Sequence, residues 1–152
     1  MNRGRFAIRS AEASDLDAAY ALVVALGYPD LEREAFARAF PAVLEHPETL
    51  VLVAEEAETG QLVGLMSLSH RPTLRLGGVI ASIDELVIAG RARGLGVGGA
   101  LLARAKTEAA RLGARRLELT TNRARESYRR GFYVKNGFAE ANSALMRWAP
   151  TP

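Results

Sequence analysis

One stretch of the chain, residues 83–102, constrains the fold most, because it combines a buried-strand pattern, a glycine-rich turn and an Ala/Leu-rich helix pattern. The first backbone N–H groups of a helix have no partner within the helix, and the helix dipole favours an anion there. Glycines let the backbone approach a ligand closely, and Arg91 and Arg93 can add charge-assisted contacts. The stretch therefore predicts a site for a molecule that carries phosphates.

Two known spacings of phosphate-binding loops occur in this turn. Gly94, Gly96 and Gly99 have the G-x-G-x-x-G spacing of dinucleotide-binding loops. Arg93, Gly96 and Gly98 have the spacing R-x-x-G-x-G. A turn that binds nothing can also contain several glycines, so other parts of the chain have to distinguish these alternatives.

Composition excludes several classes of site and partner. The 152 residues suit a single domain, and the absence of cysteine excludes disulfides, thiolate metal sites and a cysteine nucleophile. Two histidines, His46 and His70, are too few for a histidine-based metal centre, so we expect no metal. No apolar run approaches 18 residues and the first residues lack a signal-like apolar core, so we expect a cytoplasmic protein without a membrane partner. The net charge of +3, with 17 acidic residues interspersed, suits a polyanionic cofactor better than nucleic acid.

Hydrophobic periodicity predicts an alternation of strands and helices along the whole chain. Apolar/polar alternation predicts strands over 5–9 and 116–121, and apolar segments predict strands over 50–54, 62–69 and 79–88. A last strand segment is expected from Phe138 and resumes over 144–148. Helical spacing predicts helices over 16–26, 31–46, 97–112 and 125–135, the second of them kinked or broken by Pro41. The glycine turn thus lies at mid-chain and only about 50 residues follow it, whereas a dinucleotide-binding fold needs several further β-α units after its loop.

Two carboxylates interrupt the long strand that precedes the turn. Strict alternation places Glu85 on the same face as Ile83 and Val87, and Asp84 on the opposite face. A carboxylate in an apolar strand needs a partner, access to water or a function.

A second motif late in the chain identifies a family resemblance. Phe132-Tyr133-Val134-Lys135-Asn136-Gly137-Phe138 resembles the F-Y-x-K-x-G-F signature of the GNAT family of acyl-CoA N-acyltransferases, and the upstream spacing R-x-x-G-x-G resembles the pyrophosphate loop of the same family. The resemblance covers roughly residues 50–138. It implies an α/β (α+β) fold over a single domain, residues 1–152, with a mixed, mostly antiparallel sheet flanked by helices. The sheet would split in a V between the strand ending at Ile88 and the strand ending at Thr121.

The resemblance also implies an N-acetyltransferase that moves an acetyl group from acetyl-CoA to a primary amine by direct attack in a ternary complex. The pantetheine arm of acetyl-CoA would lie along Leu86, Val87 and Ile88, and Asn122 would make a further contact with the coenzyme. The pyrophosphate would sit on the backbone N–H groups of the turn, namely Arg93, Gly94, Leu95, Gly96, Val97, Gly98 and Gly99.

Two side chains are the candidate catalysts under this resemblance. Glu85 would act as the base, although an alkylamine with a pKa near 10.4 lies about 6 units above an unperturbed glutamate, so burial has to raise the pKa of Glu85, or water has to relay the proton. Tyr133 would donate a proton or a hydrogen bond to the departing sulfur, with Tyr128 as a second tyrosine nearby. The sequence departs from the family pattern at Glu126 and Arg129, where the family usually has Asn and a small residue.

Two other functions are compatible with the motifs. The fold could hold acyl-CoA as a sensor module without turnover, or the G-x-G-x-x-G spacing could belong to a dinucleotide-binding domain. For the enzyme, the acceptor would be a small-molecule or peptide amine, because Asp84, Glu85 and Glu118 suit a cationic group. The resemblance also allows a homodimer.

Overall fold

The computed structural model describes residues 4–152, which form two compact units, residues 4–120 and 121–152. The first unit contains five strands, β1 (Phe6–Ser10), β2 (Thr49–Glu56), β3 (Leu62–Thr73), β4 (Gly78–Ile88) and β5 (Arg116–Leu119). Its three helices are α1 (Leu16–Gly27), α2 (Arg33–Glu45) and α3 (Val97–Arg111). The second unit contains two short helices, α4 (Glu126–Arg129) and α5 (Phe132–Lys135). That one domain spans residues 1–152 stays a prediction.

The sheet of the first unit confirms the predicted mixed, mostly antiparallel fold. Its strands lie in the order β1-β2-β3-β4-β5, and the first four pair antiparallel. β4 and β5 pair parallel, which requires a crossover, and α3 provides it. No helix in residues 4–152 is both long and apolar enough to cross a membrane.

The parallel pair at the edge of the sheet is short. Only residues 80–83 of β4 pair with β5, opposite residues 116–119. From Asp84 onwards β4 is paired with β3 alone among the strands that the structure describes, so one side of its backbone has no strand partner. This is the split that the family resemblance implies, and it begins at Ile83.

The two faces of the sheet are covered by different helices. On one face Val53, Leu65 and Val87 form a buried core with Ala19 of α1 and Phe40 of α2. On the other face α3 packs closely on β3, because a Cβ added at Gly64 would lie 3.0 Å from Val97 Cγ1 and 3.2 Å from Leu101 Cδ1. The sheet therefore separates an α1/α2 layer from an α3 layer.

Of the two effects predicted for Pro41, a kink or a break, the break is wrong, because α2 runs through this residue from Arg33 to Glu45. A proline inside a helix removes one hydrogen bond and costs about 3 kcal/mol. Phe36, Phe40 and Leu44 follow one another at helical spacing and pack on the core, and Phe36 and Phe40 also stack with ring centroids 5.4 Å apart. Burial of Phe40, worth about 1.5–3 kcal/mol, offsets much of this cost, and the partly buried Phe36 and Leu44 add to it.

Two predictions for the C-terminal part are also wrong. The single helix predicted over 125–135 is divided into α4 and α5, because Gly131 between them has a left-handed backbone with a φ of 71°. No strand forms over 144–148, where Leu145, Met146 and Trp148 are 63–87% exposed. A strand is stabilised by hydrogen bonds to a neighbouring strand, and the described residues 121–152 contain no such neighbour.

Candidate active site

The glycine turn leads directly from β4 into the N-terminus of α3. A short 3-10 turn, Gly90–Ala92, follows β4, and α3 begins at Val97 after Gly96 with a φ of 85°. No side chain caps this helix, and the first intrahelical bond from the turn joins Ala100 N to Gly96 O at 3.0 Å. The N–H groups of Val97, Gly98 and Gly99 therefore have no acceptor within the helix, which is the arrangement that binds an anion at a helix N-terminus.

Gly94 shows why the turn needs glycine. Its φ is 79°, in the left-handed region, although a Cβ at this position would meet nothing within 4 Å. The requirement is therefore conformational rather than steric. The turn has two features that suit a phosphate group: the unbonded N–H groups at the start of α3 and the open space above Gly94.

The two arginines of the turn have different environments. Arg91 donates to Glu56 Oε2 at 3.2 Å and to Gln61 Oε1 at 2.9 Å, which ties the turn to the β2–β3 hairpin. A hydrogen bond from Thr59, together with Arg91, lowers the pKa of Glu56. Arg93 is exposed and forms no ion pair with any residue from Gly4 to Pro152. Of the two, Arg93 is the one available to a phosphate.

A bulge at Asp84 turns Glu85 towards the α1/α2 layer. Glu85 pairs with Ser67 of β3, whereas Ile83 pairs with Leu68, so Asp84 is the extra residue without a register partner. Ser67 and Leu68 are adjacent in a strand and point to opposite faces, so Ile83 and Glu85 do too. The predicted common face for Ile83 and Glu85 is therefore wrong. Simple alternation cannot predict the inserted residue. Such β-bulges often occur beside active sites.

The carboxylate of Glu85 is held by one serine in an apolar setting. Ser67 Oγ donates a hydrogen bond to Glu85 Oε2 and accepts one from Glu85 N at 3.1 Å. Burial raises the pKa of Glu85, and repulsion from Asp84 raises it further. This is the direction that a base for an amine requires. The sequence analysis missed Ser67, although a lone polar residue between Met66 and Leu68 of an apolar strand was a signal.

The predicted pantetheine contacts lie at the unpaired side of β4. Leu86, Val87 and Ile88 pair with β3 on one side, opposite Met66, Leu65 and Gly64. No described strand occupies the other side of this segment. Backbone N–H and C=O groups on that side can bond to the amides of an extended ligand, as a further strand would.

The second unit gives Tyr133 and Tyr128 different surroundings. The Tyr133 ring packs edge-on against Phe132 and Phe138, with centroids 5.1 and 6.4 Å away, and its hydroxyl has no hydrogen bond to any described residue. Tyr128 instead donates to Glu140 Oε2 at 2.6 Å, and this bond raises the pKa of Tyr128. Tyr128 therefore lacks the free hydroxyl that its predicted second role required.

Asn122 builds the turn before α4. Its Oδ1 accepts a hydrogen bond from Ala124 N at 2.8 Å, and its backbone oxygen accepts one from Arg125 N at 3.0 Å. The side-chain NH₂ group is left for another partner, while the preceding Thr121 has a buried Oγ1 with no hydrogen-bond partner in residues 4–152. The sequence analysis did not single out Thr121, and no sequence signal distinguishes it. Contact of Asn122 with the coenzyme stays a prediction.

Comparison with known proteins identifies the family. The model of the Acetyltransferase (GNAT) family matches residues 15–138. The aminoalkylphosphonate N-acetyltransferase of Salmonella typhimurium is 35% identical over 135 residues, which cover 89% of this chain and 86% of the relative. The glucosamine 6-phosphate N-acetyltransferase 1 of Oryza sativa subsp. japonica is 33% identical over 122 residues, which cover 75% of this chain and 68% of the relative.

A solved structure agrees with this result at the level of the fold. The transcriptional regulator from Bacillus halodurans C-125 superposes with a TM-score of 0.85 at 25% identity, over 95% of this chain and 99% of that chain. Neither the family match nor these relatives support the dinucleotide-binding alternative. The chain belongs to the GNAT family of acetyltransferases, and its relatives identify it as an acetyl-CoA-dependent N-acyltransferase.

Proposed function

We propose that this protein transfers an acetyl group from acetyl-CoA to the primary amine of a small molecule, by direct attack while both substrates are bound. One observation carries the proposal. A carboxylate with a raised pKa, an unpaired strand edge and a phosphate cradle follow one another within residues 85–99 of one unit. These are, in order, the groups needed to deprotonate the amine, to bind the pantetheine arm and to bind the pyrophosphate.

In this proposal the turn binds the donor. The N–H groups at the start of α3, from Val97 to Gly99, and the guanidinium of Arg93 hold the pyrophosphate. The N–H groups of Arg93 and Leu95 donate within the turn, to the carbonyls of Gly90 and Ala92 at 3.3 Å each. The backbone of Leu86, Val87 and Ile88 pairs with the pantetheine amides, and the NH₂ group of Asn122 makes a further contact with the coenzyme.

Glu85 is the proposed base. The neutral amine nitrogen attacks the thioester carbonyl carbon, the C–S bond breaks, and Glu85 takes the proton that the nitrogen loses, directly or through water. Transfer from an alkylammonium to an ordinary glutamate is uphill by about 6 pKa units, or roughly 8 kcal/mol. Burial of Glu85 beside Asp84 reduces this difference.

Tyr133 is the proposed donor to the leaving group. A thiol titrates near 8.5 and a tyrosine in water near 10, so complete protonation of the thiolate is uphill by about 1.5 units, or 2 kcal/mol. A hydrogen bond that strengthens as charge develops on the sulfur is sufficient. The unpaired hydroxyl of Tyr133 supports this role.

The names of the two relatives support a small-molecule acceptor. Each names a substrate that combines an amine with a phosphorus oxyanion, an aminoalkylphosphonate in one case and glucosamine 6-phosphate in the other. We include both compounds among the candidate acceptors and favour small molecules over peptide amines on this ground.

Two measurements test the proposal. A thermal-shift comparison of acetyl-CoA, CoA, NAD and ATP should show stabilisation by the CoA species alone, by about 5–10 °C at 100 times the Kd. A thiol-release assay with a panel of amines, including both phosphorus-containing compounds, should then show turnover that depends on the amine. Stabilisation by CoA without amine-dependent release would instead support the acyl-CoA sensor.

The homodimer and the cytoplasmic location also stay proposals, based on the family resemblance and on the sequence respectively. Light scattering after size-exclusion chromatography measures the mass directly. A monomer at high concentration would contradict the dimer.

A further inference from the structure

We propose that Ser67 is a positioning residue for the reaction, which orients the carboxylate of Glu85 towards the amine. The inference rests on the proposed function, in which Glu85 is the base. Neither the family signature motifs nor the candidate residues from the sequence include Ser67.

The two residues form a closed pair of hydrogen bonds. The hydroxyl of Ser67 donates to Oε2 of Glu85 and accepts from the backbone N–H of the same residue at 3.1 Å. A free glutamate side chain has many rotamers, and holding it in one of them costs conformational entropy. The two hydrogen bonds to Ser67 offset this cost and keep the Glu85 side chain in one orientation. They engage one carboxylate oxygen, and Oε1 has no hydrogen-bond partner within the described chain. Oε1 is thus left for the amine or for a water molecule.

The bulge at Asp84 creates this pair. Without the extra residue, Glu85 would share a face with Ile83, on the side opposite to Ser67. Ser67 is only 7% exposed, and the next row of the same face consists of the apolar Leu65 and Val87. A buried hydroxyl in such a row costs free energy unless it is bonded, and both of its contacts are to Glu85.

Ser67 is the group on β3 that stabilises the ionised form of Glu85. Asp84, the neighbouring charge on β4, opposes ionisation. The other titratable side chains of β3 are His70 and Arg71, which lie opposite Ala81 and Ile80 rather than Glu85. The hydroxyl therefore acts against the effects of burial and of Asp84 on the ionised carboxylate.

The neighbouring elements provide no substitute for Ser67. The two titratable side chains of α1 are already paired, Asp17 with Arg33 and Tyr20 with the carbonyl of Leu31. On β5, Glu118 lies opposite Ser82 and 4.0 Å from Arg75. The charged side chains of α2 are exposed, and this helix packs mainly on β2.

The test is the pH dependence of kcat/KM for the amine in Ser67→Ala. The acidic limb of the pH profile is the range in which the rate falls as Glu85 becomes protonated. Loss of the hydrogen bond from Ser67 should shift this limb to higher pH by about one unit, because one hydrogen bond to a charged group contributes about 1.5 kcal/mol, close to the free energy of one pKa unit. At pH values on that limb kcat/KM for the amine should fall about tenfold, whereas KM for acetyl-CoA should change by less than about twofold. Ser67→Thr keeps the hydroxyl and should restore the wild-type limb.

Two further variants separate positioning from a purely structural role. Ser67→Cys has a similar volume and only a weak donor, so its limb should shift in the same direction, which keeps the test available if Ser67→Ala does not fold. Ser69→Ala is the matched control, because Ser69 lies two residues further on the same strand and opposite Ser82. Its limb should not move. A structural role would lower Tm in the Ser67 variants and leave the limb in place, which would overturn the inference.

Glu85→Gln distinguishes failure of this inference from failure of the proposed function. Acetyl transfer at the wild-type rate by Glu85→Gln would overturn the base and the positioning role together. A loss of at least a hundredfold in that variant, with an unmoved acidic limb in both Ser67→Ala and Ser67→Cys, would overturn the role of Ser67 alone.

Discussion

Arg91 and Arg93 are two residues apart, yet the structure gives them separate functions. The sequence indicates only that both can contact a phosphate. Arg91 donates hydrogen bonds to Glu56 and Gln61 of the β2–β3 hairpin, whereas Arg93 forms no ion pair with a described residue. One arginine fixes the position of the turn, and the other is available to the ligand.

Replacement of Arg93 by Ala should therefore weaken binding of the donor. Loss of one charge-assisted contact corresponds to a rise in KM for acetyl-CoA of about tenfold or more, with Tm nearly unchanged. Arg91→Ala is the matched variant, and it should lower Tm while raising KM less. Steady-state kinetics and thermal unfolding of both proteins check this, and equal KM values would contradict the division of roles.

The tyrosines of the second unit allow a similar comparison. Tyr133→Phe should lower kcat by well over tenfold with little change in the affinity for acetyl-CoA, because the lost hydrogen bond matters only as the sulfur becomes charged. Tyr128→Phe loses a bond to Glu140 and should retain most of kcat. Wild-type turnover in Tyr133→Phe would remove this residue from the mechanism.

At the scale of elements, β1 and α1 are joined by one buried ion pair. Arg9 on β1 donates to both oxygens of Asp15, at 2.7 and 2.9 Å, and also to Glu55 on β2. Asp15 lies immediately before α1 and accepts a bond from Glu12 N at 2.8 Å. The bond from Arg9 lowers the pKa of Asp15, so this pair holds the start of the helix to the sheet while the carboxylate is ionised.

The stability of the fold should accordingly depend on this carboxylate at acidic pH. Because the folded protein has the lower pKa, the contribution of Asp15 is complete above the unfolded value of about 4 and is lost as the pH falls through the folded value. Asp15→Asn should reduce the free energy of unfolding at pH 7 by about 1–3 kcal/mol and flatten its decline below pH 4. Urea unfolding across this pH range measures both effects, and an unchanged slope would contradict the assignment.

The elements also show which parts of the structure were predictable. Periodicity located β2 to β4, α1 and α3 because long apolar patterns and glycine stops are local signals. The bulge at Asp84 is not local, since it appears only in the register against β3. The same limit explains the missing strand over 144–148, where apolar residues are present but the described residues offer no partner strand.

At the scale of the whole molecule, the proposed base and the proposed phosphate site lie on opposite faces of the sheet of the first unit. Glu85 faces the layer of α1 and α2, whereas the phosphate cradle is the N-terminus of α3, which packs on the other face. The glycine motif predicts a phosphate site in this turn and the family resemblance predicts Glu85 as the base, and both stay predictions. The motifs could not predict the pairing with Ser67, because that contact joins residues 18 positions apart through the register of two strands.

The short pairing of β5 has a consequence for the behaviour of the protein in solution. Unpaired N–H and C=O groups along a strand edge are a template for strands of other molecules, and proteins normally protect such edges. From Asp84 to Ile88 the described strands offer no such protection, and a bound pantetheine would cover this segment. Bound coenzyme would then reduce aggregation of the protein in addition to serving as a substrate. Concentrated protein without CoA should form larger species in light scattering, and a saturating amount of CoA, but not of ATP, should suppress them.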